Sequence, residues 1–196
     1  MVEPVETPQD GLDRLDRRPW ATSSPSTLRR MSSLAPASPG DTPDLTDFLR
    51  EVDLTLSGLD APTVYIWIER DAAGTIVAST GFELSDDRQH ALIRSVAVHP
   101  LAQRTGEGTR LARFALAKAA ESGAQRAWLF SRRSGPFWQT LGFATADRDD
   151  LARALASTQQ VRLFAGSGQL SREIAWSRPL PADLTAPLDG SPIAHL

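Results

Sequence analysis

The chain has 196 residues and a net charge of −3 at pH 7, with 41% hydrophobic and 23% charged residues. These values predict one soluble globular domain of ordinary size with terminal tails, no general attraction to nucleic acid or membrane surfaces, and no apolar run of the ~20 residues that a membrane span needs. Because cysteine is absent and His90, His99 and His195 lack metal-ligand spacing, we expect no disulfides, no thiol chemistry and no metal site.

The N-terminal region differs from the rest of the chain in composition. Residues 1–30 are rich in Pro, Ser, Thr and charged residues, which predicts a disordered or loosely attached arm. This arm lacks the apolar core and cleavage site of a secretory signal, so we expect a cytoplasmic protein. A compact domain is predicted over residues 31–180, followed by a C-terminal tail over residues 181–196.

The first elements of the domain are a strand near residues 33–36 and a helix from Pro43 to about Leu56, with Asp41 as N-cap. "TVYIWIERDAAGTIVASTGFEL" contains two β-rich runs joined by a turn, which indicates a hairpin. "ALIRSVAV" is almost continuously apolar, as a central strand is when both of its faces are covered. A helix over residues 107–122, closed by Gly123, then leads to the strand "RAWLF".

The remaining elements are a helical turn in "GPFWQTL", a strand in "GFATA", a polar helix from Asp149 to about Ser157 and a strand in "REIAWS". Because a helix crosses from "ALIRSVAV" to "RAWLF", these two strands should be parallel. The predicted fold class is therefore α/β (α+β), with a single mixed β-sheet flanked by helices.

The segment "QRTGEG" lies between the central strand and the long helix. A helix start offers unpaired N–H groups and the positive end of the helix dipole, and glycine allows close approach, so the segment suits a phosphate group. A plain strand-to-helix turn is the alternative. The segment matches neither the P-loop pattern GxxxxGK[ST] nor the dinucleotide pattern GxGxxG.

"VAVHPLAQRTGEG" resembles the acyl-CoA loop of the GNAT acetyltransferases, V-x-P-x-x-[QR]-x-x-G-x-[GA], with Gln103, Gly106 and Gly108 at the defining positions. "FWQTLGF" is similar to a later element of the same family, "FYExLGF", in the expected order. The resemblance covers about residues 32–179. Within the superfamily, "GFEL…ALIRSVAV" and the C-terminal extension most resemble acetyltransferases found with arsenic-resistance genes, although this chain lacks the cysteine that would bind an arsenical.

The resemblance implies a sheet that splays open after "ALIRSVAV" and binds acetyl-CoA as co-substrate. The pantetheine arm would pair with the backbone of residues 96–98, the pyrophosphate would contact residues 103–109, and Ser131 and Trp138 would contact the cofactor. The residues thus implied in cofactor binding are Val96, Ala97, Val98, Gln103, Arg104, Thr105, Gly106, Glu107, Gly108, Thr109, Ser131 and Trp138.

The same resemblance implies direct attack of a small-molecule amine on the thioester, with the backbone N–H near Val96 as oxyanion donor. Many relatives carry a glutamate base where this chain has Arg94, which stays charged and cannot accept a proton. Arg94 is expected either to bind the carboxylate of an amino-acid-like substrate or to form an ion pair with Glu83 or Asp87. Glu83 is the best remaining candidate for the base. Strand alternation places the Arg94 side chain on one face of the sheet, with Leu92, Val96 and Val98.

Two further departures affect the predicted function. Trp138 replaces the tyrosine that protonates the leaving thiolate in many relatives, and it has no hydroxyl. Glu107 would repel a pyrophosphate unless it points outward and pairs with Arg110. The alternative to an enzyme is therefore a GNAT domain that binds acyl-CoA without transferring the acyl group, or an interaction module. We expect a monomer or homodimer.

Overall fold

The computed structural model describes residues 33–181, and the predicted arm over 1–30, nearly all of the predicted tail over 181–196 and His195 lie outside this range. The described strands are β1 (Ala35–Pro36), β2 (Val64–Arg70), β3 (Ile76–Leu84), β4 (His90–Val98), β5 (Arg126–Phe130), β6 (Ala144–Ala146) and β7 (Ala175–Pro179). The α-helices are α1 (Thr42–Glu51), α2 (Glu107–Glu121), α3 (Gly135–Thr140), α4 (Arg148–Ala154) and α5 (Gln159–Ser167).

All seven strands belong to one sheet, in the order β1-β2-β3-β4-β5-β7-β6. β4 and β5 are parallel, and the other neighbouring strands are antiparallel. The parallel pair follows from the α2 crossover, because a chain that returns through a helix re-enters the sheet in the same direction. The predicted mixed α/β fold, its β2–β3 hairpin and its β4–β5 parallel pair are confirmed.

Helices cover both faces of the sheet. On one face, α2 and α3 pack against residues such as Phe82, Ile93 and Leu129. On the other face, α1 packs against Ile66 and Ile68. α4 and α5 pack on that same face against Leu92 and Trp128. β4 is therefore buried from Ala91 to Ser95, as its continuous apolar run predicts.

Several elements differ from their predicted bounds. α1 ends at Glu51 rather than near Leu56, because Asp53 adopts a left-handed backbone with φ of 56° and the chain leaves the helix. α5 was not predicted, since its sequence "QQVRLFAGS" has few strong apolar positions. His90 is the first residue of β4, and its Nδ1 accepts a hydrogen bond from Trp128 Nε1 at 3.1 Å.

The sheet opens between β4 and β5. These strands pair only over His90–Leu92 with Arg126–Trp128, whereas β5 remains paired with β7 as far as Phe130. The gap therefore begins after Leu92, earlier than the sequence-based prediction of a splay after Val98. The edge of β4 from Ile93 to Val98 faces this gap without a paired strand in the described part of the chain.

A β-bulge interrupts β4 where the gap opens. The register with β3 shifts between Ser79 and Gly81, and Ser95 has a φ of 57°. An extra residue at a bulge reverses the alternation beyond it. Val96 consequently packs on the Ile93 face and Ala97 on the α1 face. The prediction that Val96 shares a face with Arg94 is therefore wrong.

Candidate functional site

A cavity of about 370 Å³ occupies the gap beside the second half of β4. It brings together strand residues, the loop before α2 and the start of α3. Its lining residues are Val96, Ala97, Val98, Gln103, Arg104, Glu107, Gly108, Ser134, Phe137 and Trp138. Eight of these ten were predicted as cofactor contacts from the sequence; Ser134 and Phe137 were not.

The loop before α2 presents backbone donors toward solvent. Gly106 is the N-cap of α2 with a left-handed φ of 88°, and a Cβ built on it meets no atom within 4 Å. Gly108 and Thr109 follow in the first turn, where a helix leaves its N–H groups unpaired, and no backbone acceptor is recorded for either within residues 33–181. The start of α2 is thus open and suited to an anionic group.

The remaining predicted loop residues do not line the cavity. Thr105, Gly106 and Thr109 complete the turn, whereas Gln103, Arg104, Glu107 and Gly108 line it. Thr105, Gly106 and Thr109 therefore contribute the shape of the turn and backbone N–H donors rather than part of the cavity wall.

Glu107 is held by an ion pair at the entrance of α2. Arg110 Nη2 lies 2.7 Å from Glu107 Oε2 and also donates to Glu69. Burial opposes the charge of Arg110, but its hydrogen bonds to Glu107 and Glu69 raise the pKa of this guanidinium above its usual value. The predicted Glu107–Arg110 pair is therefore formed, which offsets the negative charge beside the loop.

A second cavity of about 360 Å³ lies on the other side of Trp138. Both cavities are lined by Val96, Ser134 and Trp138, so they meet at these residues. Ser131, predicted as a cofactor contact, lines the second cavity instead, where its Oγ accepts the Ser134 N–H at 3.0 Å.

Arg94 and Glu83 form a buried ion pair beneath the second cavity. Arg94 Nη1 lies 3.1 Å from Glu83 Oε2, and the two side chains are 2% and 0% exposed. Arg94 Nη2 donates to the Ser57 carbonyl at 2.6 Å. Burial lowers the pKa of Arg94, which Glu83 partly opposes by its charge and its hydrogen bond. Of the alternatives open from sequence, the ion pair with Glu83 is the one that forms.

Glu83 does not line either cavity. Besides Arg94, its carboxylate accepts the Gln159 N–H at 2.6 Å and the Thr63 hydroxyl at 3.4 Å. A general base must reach the proton that it removes. The predicted role of Glu83 as base therefore stays a prediction, and this geometry does not favour it.

Three buried polar atoms on the walls of the second cavity have no hydrogen-bond partner among the described residues: Arg94 Nε, Ser95 Oγ and Gln160 Oε1. Leaving a buried donor or acceptor unpaired costs about 1–3 kcal/mol, so such atoms are expected to bind water or a polar ligand. Sequence reasoning identified Arg94 but neither Ser95 nor Gln160.

Trp138 separates the two cavities. Its ring makes edge contacts with Phe137 and Phe143 at centroid distances of 5.0 and 5.4 Å, and only 8% of the residue is exposed. These contacts hold the indole in place at the junction.

The second cavity also contains charged residues that sequence reasoning missed or left open. These residues are Asp53, Arg132, Arg133 and Glu173. Glu173 follows a short 3-10 helix, Gln169–Arg172, whose position beside β5 no local sequence pattern indicates.

Two kinds of feature are absent from the described residues. Within residues 33–181, no group of three or more His, Cys, Asp or Glu residues is arranged to hold a metal ion. No helix in that range is both long enough and apolar enough to cross a membrane.

Comparison with known proteins identifies a sequence family. A family model described as "Acetyltransferase (GNAT) family" matches residues 28–143, more than half of the chain. No curated protein matches the chain in sequence.

Solved structures share the fold at low sequence identity. N-acetylglutamate synthase from Neisseria gonorrhoeae, complexed with coenzyme A and N-acetyl-glutamate, is 21% identical with a TM-score of 0.57, over 76% of this chain and 36% of that one. Rv2747 from Mycobacterium tuberculosis, in complex with CoA, is 18% identical with a TM-score of 0.59, over 76% of this chain and 99% of that one. A GNAT acetyltransferase from Staphylococcus aureus Mu50 is 14% identical with a TM-score of 0.57, over 76% and 99%. This chain thus spans about a third of the synthase but nearly all of the two smaller proteins.

Proposed function

The chain belongs to the GNAT acetyltransferase family, and from this premise we propose that it transfers an acetyl group from acetyl-CoA to the amine of a small molecule. The amine attacks the thioester directly, without a covalent enzyme intermediate. The observation that carries the proposal is the cavity that joins the open start of α2 to the unpaired edge of β4.

Two features of the cavity support coenzyme A as its ligand. The N–H groups at the start of α2 and the Arg104 side chain suit a pyrophosphate. The edge of β4 over residues 96–98 offers backbone groups that pair with the amides of a pantetheine arm, as an added strand would. N-acetylglutamate synthase and Rv2747, each solved in complex with coenzyme A, share this fold, and this supports coenzyme A as the ligand class here.

The reacting thioester would lie at the junction of the two cavities. The bulge at Ser95 leaves Ser95 and Val96 outside the regular β3 register, so the Val96 N–H is available as the oxyanion donor. Trp138 would position the arm by packing, since its indole has no hydroxyl to protonate the leaving thiolate. Positioning of the two substrates supplies most of the rate in such a direct transfer.

The second cavity would bind the acceptor. Two of the five N–H groups of Arg94 are used by Glu83 and Ser57, and Nε has no recorded partner among residues 33–181, so the guanidinium retains donors for an oxygen group of the acceptor. Ser95 Oγ provides a second donor and Gln160 Oε1 an acceptor. We therefore propose an amine acceptor that also carries an oxygen group, such as a carboxylate.

One observation supports the alternative of an acyl-CoA-binding domain without transferase activity. Glu83 is enclosed by Arg94, Gln159 and Thr63, so the carboxylate first predicted as base is not presented to the acceptor. Binding of CoA without turnover would favour this alternative.

Finer assignments rest on sequence alone and remain proposals. A cytoplasmic location and a monomeric or dimeric state are proposed from composition and fold type. We propose a sequence relationship to the arsenic-associated acetyltransferases but no binding of arsenicals, because a chain without cysteine offers no thiolate for trivalent arsenic.

Cofactor binding is tested with Gly106→Glu and a matched control, Gly74→Glu. Both glycines have a φ near 88° and open space around a built Cβ, so the strain of substitution is similar. We expect Gly106→Glu to lose at least tenfold in CoA affinity by isothermal titration, because it adds a carboxylate at the phosphate site. Gly74→Glu should bind as the wild type does. Equal affinity for both variants would contradict the placement of the pyrophosphate.

Transfer is tested by measuring CoA release from acetyl-CoA with a panel of amines and amino acids. The proposal expects release above background for amines that carry a carboxylate. Tight CoA binding with no release across the panel would leave the binding-domain alternative.

A further inference from the structure

Glu173 presents a buried carboxylate to the second cavity. It lies between the 3-10 helix Gln169–Arg172 and β7, and its side chain is only 7% exposed. Gln169 Nε2 donates to Glu173 Oε1 at 3.0 Å, and Arg132 Nε lies 3.5 Å from the same oxygen. Within residues 33–181, both recorded contacts therefore fall on Oε1, and Oε2 carries neither.

The other carboxylates near the cavity are less suitable for an acceptor amine. Glu83 is fully buried, is bound by three donors and does not line the cavity. Asp53 lines it, but its side chain is 90% exposed, where solvent weakens any contact with a cation. Glu173 alone among these combines burial, an uncommitted oxygen and a place on the cavity wall.

We propose that Glu173 binds the ammonium group of the acceptor and takes its proton before attack. The inference rests on the proposed transfer to an amine. It assigns the role of general base to Glu173 instead of Glu83, the candidate from the sequence. It also gives a role to each kind of polar group on the cavity wall, with Arg94 Nε and Ser95 Oγ as donors to an oxygen group of the acceptor and Glu173 as the partner of its nitrogen.

The proton balance of the step is complete. The acceptor enters as R–NH3⁺ and gives one proton to the Glu173 carboxylate, and the neutral amine then attacks the thioester carbon. When the tetrahedral intermediate collapses, the carbon–sulfur bond breaks, nitrogen loses a second proton and the thiolate is protonated. The products are the amide, the free thiol of CoA and one proton released from Glu173 to solvent.

The charged groups around Glu173 come from three parts of the chain. Arg132 and Arg133 approach from the loop after β5, Arg94 from β4, and Asp53 from the segment after α1. Of these, Arg132 is the one with a recorded contact to the Glu173 carboxylate, at 3.5 Å. Arg133 lies 3.9 Å from Asp53, so these two largely offset each other.

The test compares Glu173→Gln with Asp53→Asn, using the full chain, acetyl-CoA and the amine panel. Glutamine keeps an oxygen that accepts from Gln169, so the fold and CoA affinity should be unchanged. We expect kcat/KM at pH 7 to fall about 100-fold or more in Glu173→Gln, the usual size of a general-base contribution. Asp53→Asn should stay within threefold of the wild type, and Glu173→Asp should be intermediate.

The pH profile separates a catalytic role from a structural one. Without Glu173 only the free amine reacts, so the rate of Glu173→Gln should rise about tenfold per pH unit up to the pKa of the amine. The wild type should be nearly level over neutral pH. A Glu173→Gln variant that keeps the wild-type activity and the wild-type pH profile would overturn the role of Glu173 but leave the proposed function standing. Absence of turnover in the wild type overturns both the proposed function and this inference.

Discussion

Arg94 stands where many GNAT relatives carry a glutamate base, and its surroundings explain how the fold accommodates a cation there. Glu83 on β3 lies opposite in the sheet, and the Ser57 carbonyl takes a second guanidinium N–H. Two of its nitrogens thereby donate inside the domain, and the third, Nε, is buried without a recorded partner among residues 33–181. One residue thus has both a structural and a proposed binding role.

The structural role predicts a large effect of breaking the pair from one side. Glu83→Leu leaves a buried guanidinium without its counterion, which should lower the free energy of unfolding by about 3–5 kcal/mol. The double variant Glu83→Leu/Arg94→Met should recover most of that loss, because no charge remains buried. Urea denaturation of both variants measures the difference.

The matched control is Glu121→Gln, which removes an exposed ion pair with Lys118 and should change stability by less than about 0.5 kcal/mol. A Glu83→Leu variant as stable as this control would mean that Arg94 is not held by Glu83.

At the scale of elements, the junction of β4 and α2 combines a bulge and an open helix start. The bulge at Ser95 turns Val96 toward the α2 face, and the left-handed Gly106 is the N-cap at which α2 begins. Glu107, in the first turn, would oppose an anion there. Arg110 offsets it from the next turn of the same helix.

Removing this partner should weaken cofactor binding. Arg110→Met leaves the Glu107 carboxylate unpaired near the phosphate site, and two charges about 4 Å apart in water interact by about 1 kcal/mol. We expect an increase of about fivefold in the Kd for CoA, measured by titration at low salt.

Arg110→Met/Glu107→Gln should restore most of the affinity, since the carboxylate in the first turn of α2 is removed together with its cation, while Glu69 on β2 keeps its charge in both variants. Arg113→Met removes the same charge from an exposed position of α2 and should have a smaller effect. If the double variant binds as weakly as Arg110→Met, Arg110 contacts the ligand itself.

At the scale of the whole molecule, the gap between β4 and β5 divides the sheet. Beyond Leu92 and Trp128, β4 remains attached through β3, and β5 through β7. A ligand in the gap would connect the two parts, and it would bind only the folded chain. Binding to the native state alone stabilises it by an amount that grows with the logarithm of the ligand concentration relative to Kd.

Acetyl-CoA at about 100 times its Kd should therefore add about 2.7 kcal/mol of stability. For a domain of this size that corresponds to a rise in Tm of about 5–11 °C. Thermal unfolding with and without the ligand measures the shift. The Gly74→Glu variant should show the same rise in Tm as the wild type, and Gly106→Glu should show none. A wild-type Tm that does not change with acetyl-CoA would argue against a ligand bridging the gap.

Elements that depend on a short stretch of sequence could be predicted, whereas those that depend on packing between distant segments could not. The β2–β3 hairpin, the buried β4 and the α2 helix with its Gly123 end follow from periodicity and turn residues over short windows. The bulge at Ser95 was missed, because a serine in a left-handed conformation carries no sequence signal. α5 was missed because its burial against α4 and the sheet, rather than its own pattern, stabilises it.

The candidate site divides in the same way. The sequence by itself determined the open start of α2, since the glycine spacing after a strand specifies both the turn and the unpaired donors within one short segment. Only the tertiary structure decided which residues line the second cavity. Arg94, Gln160 and Glu173 come from three distant segments, and their burial and pairing depend on how β4, α5 and the approach to β7 pack together. Hydrogen bonding between residues far apart in the chain leaves no local pattern, so it becomes visible only when the chain is folded.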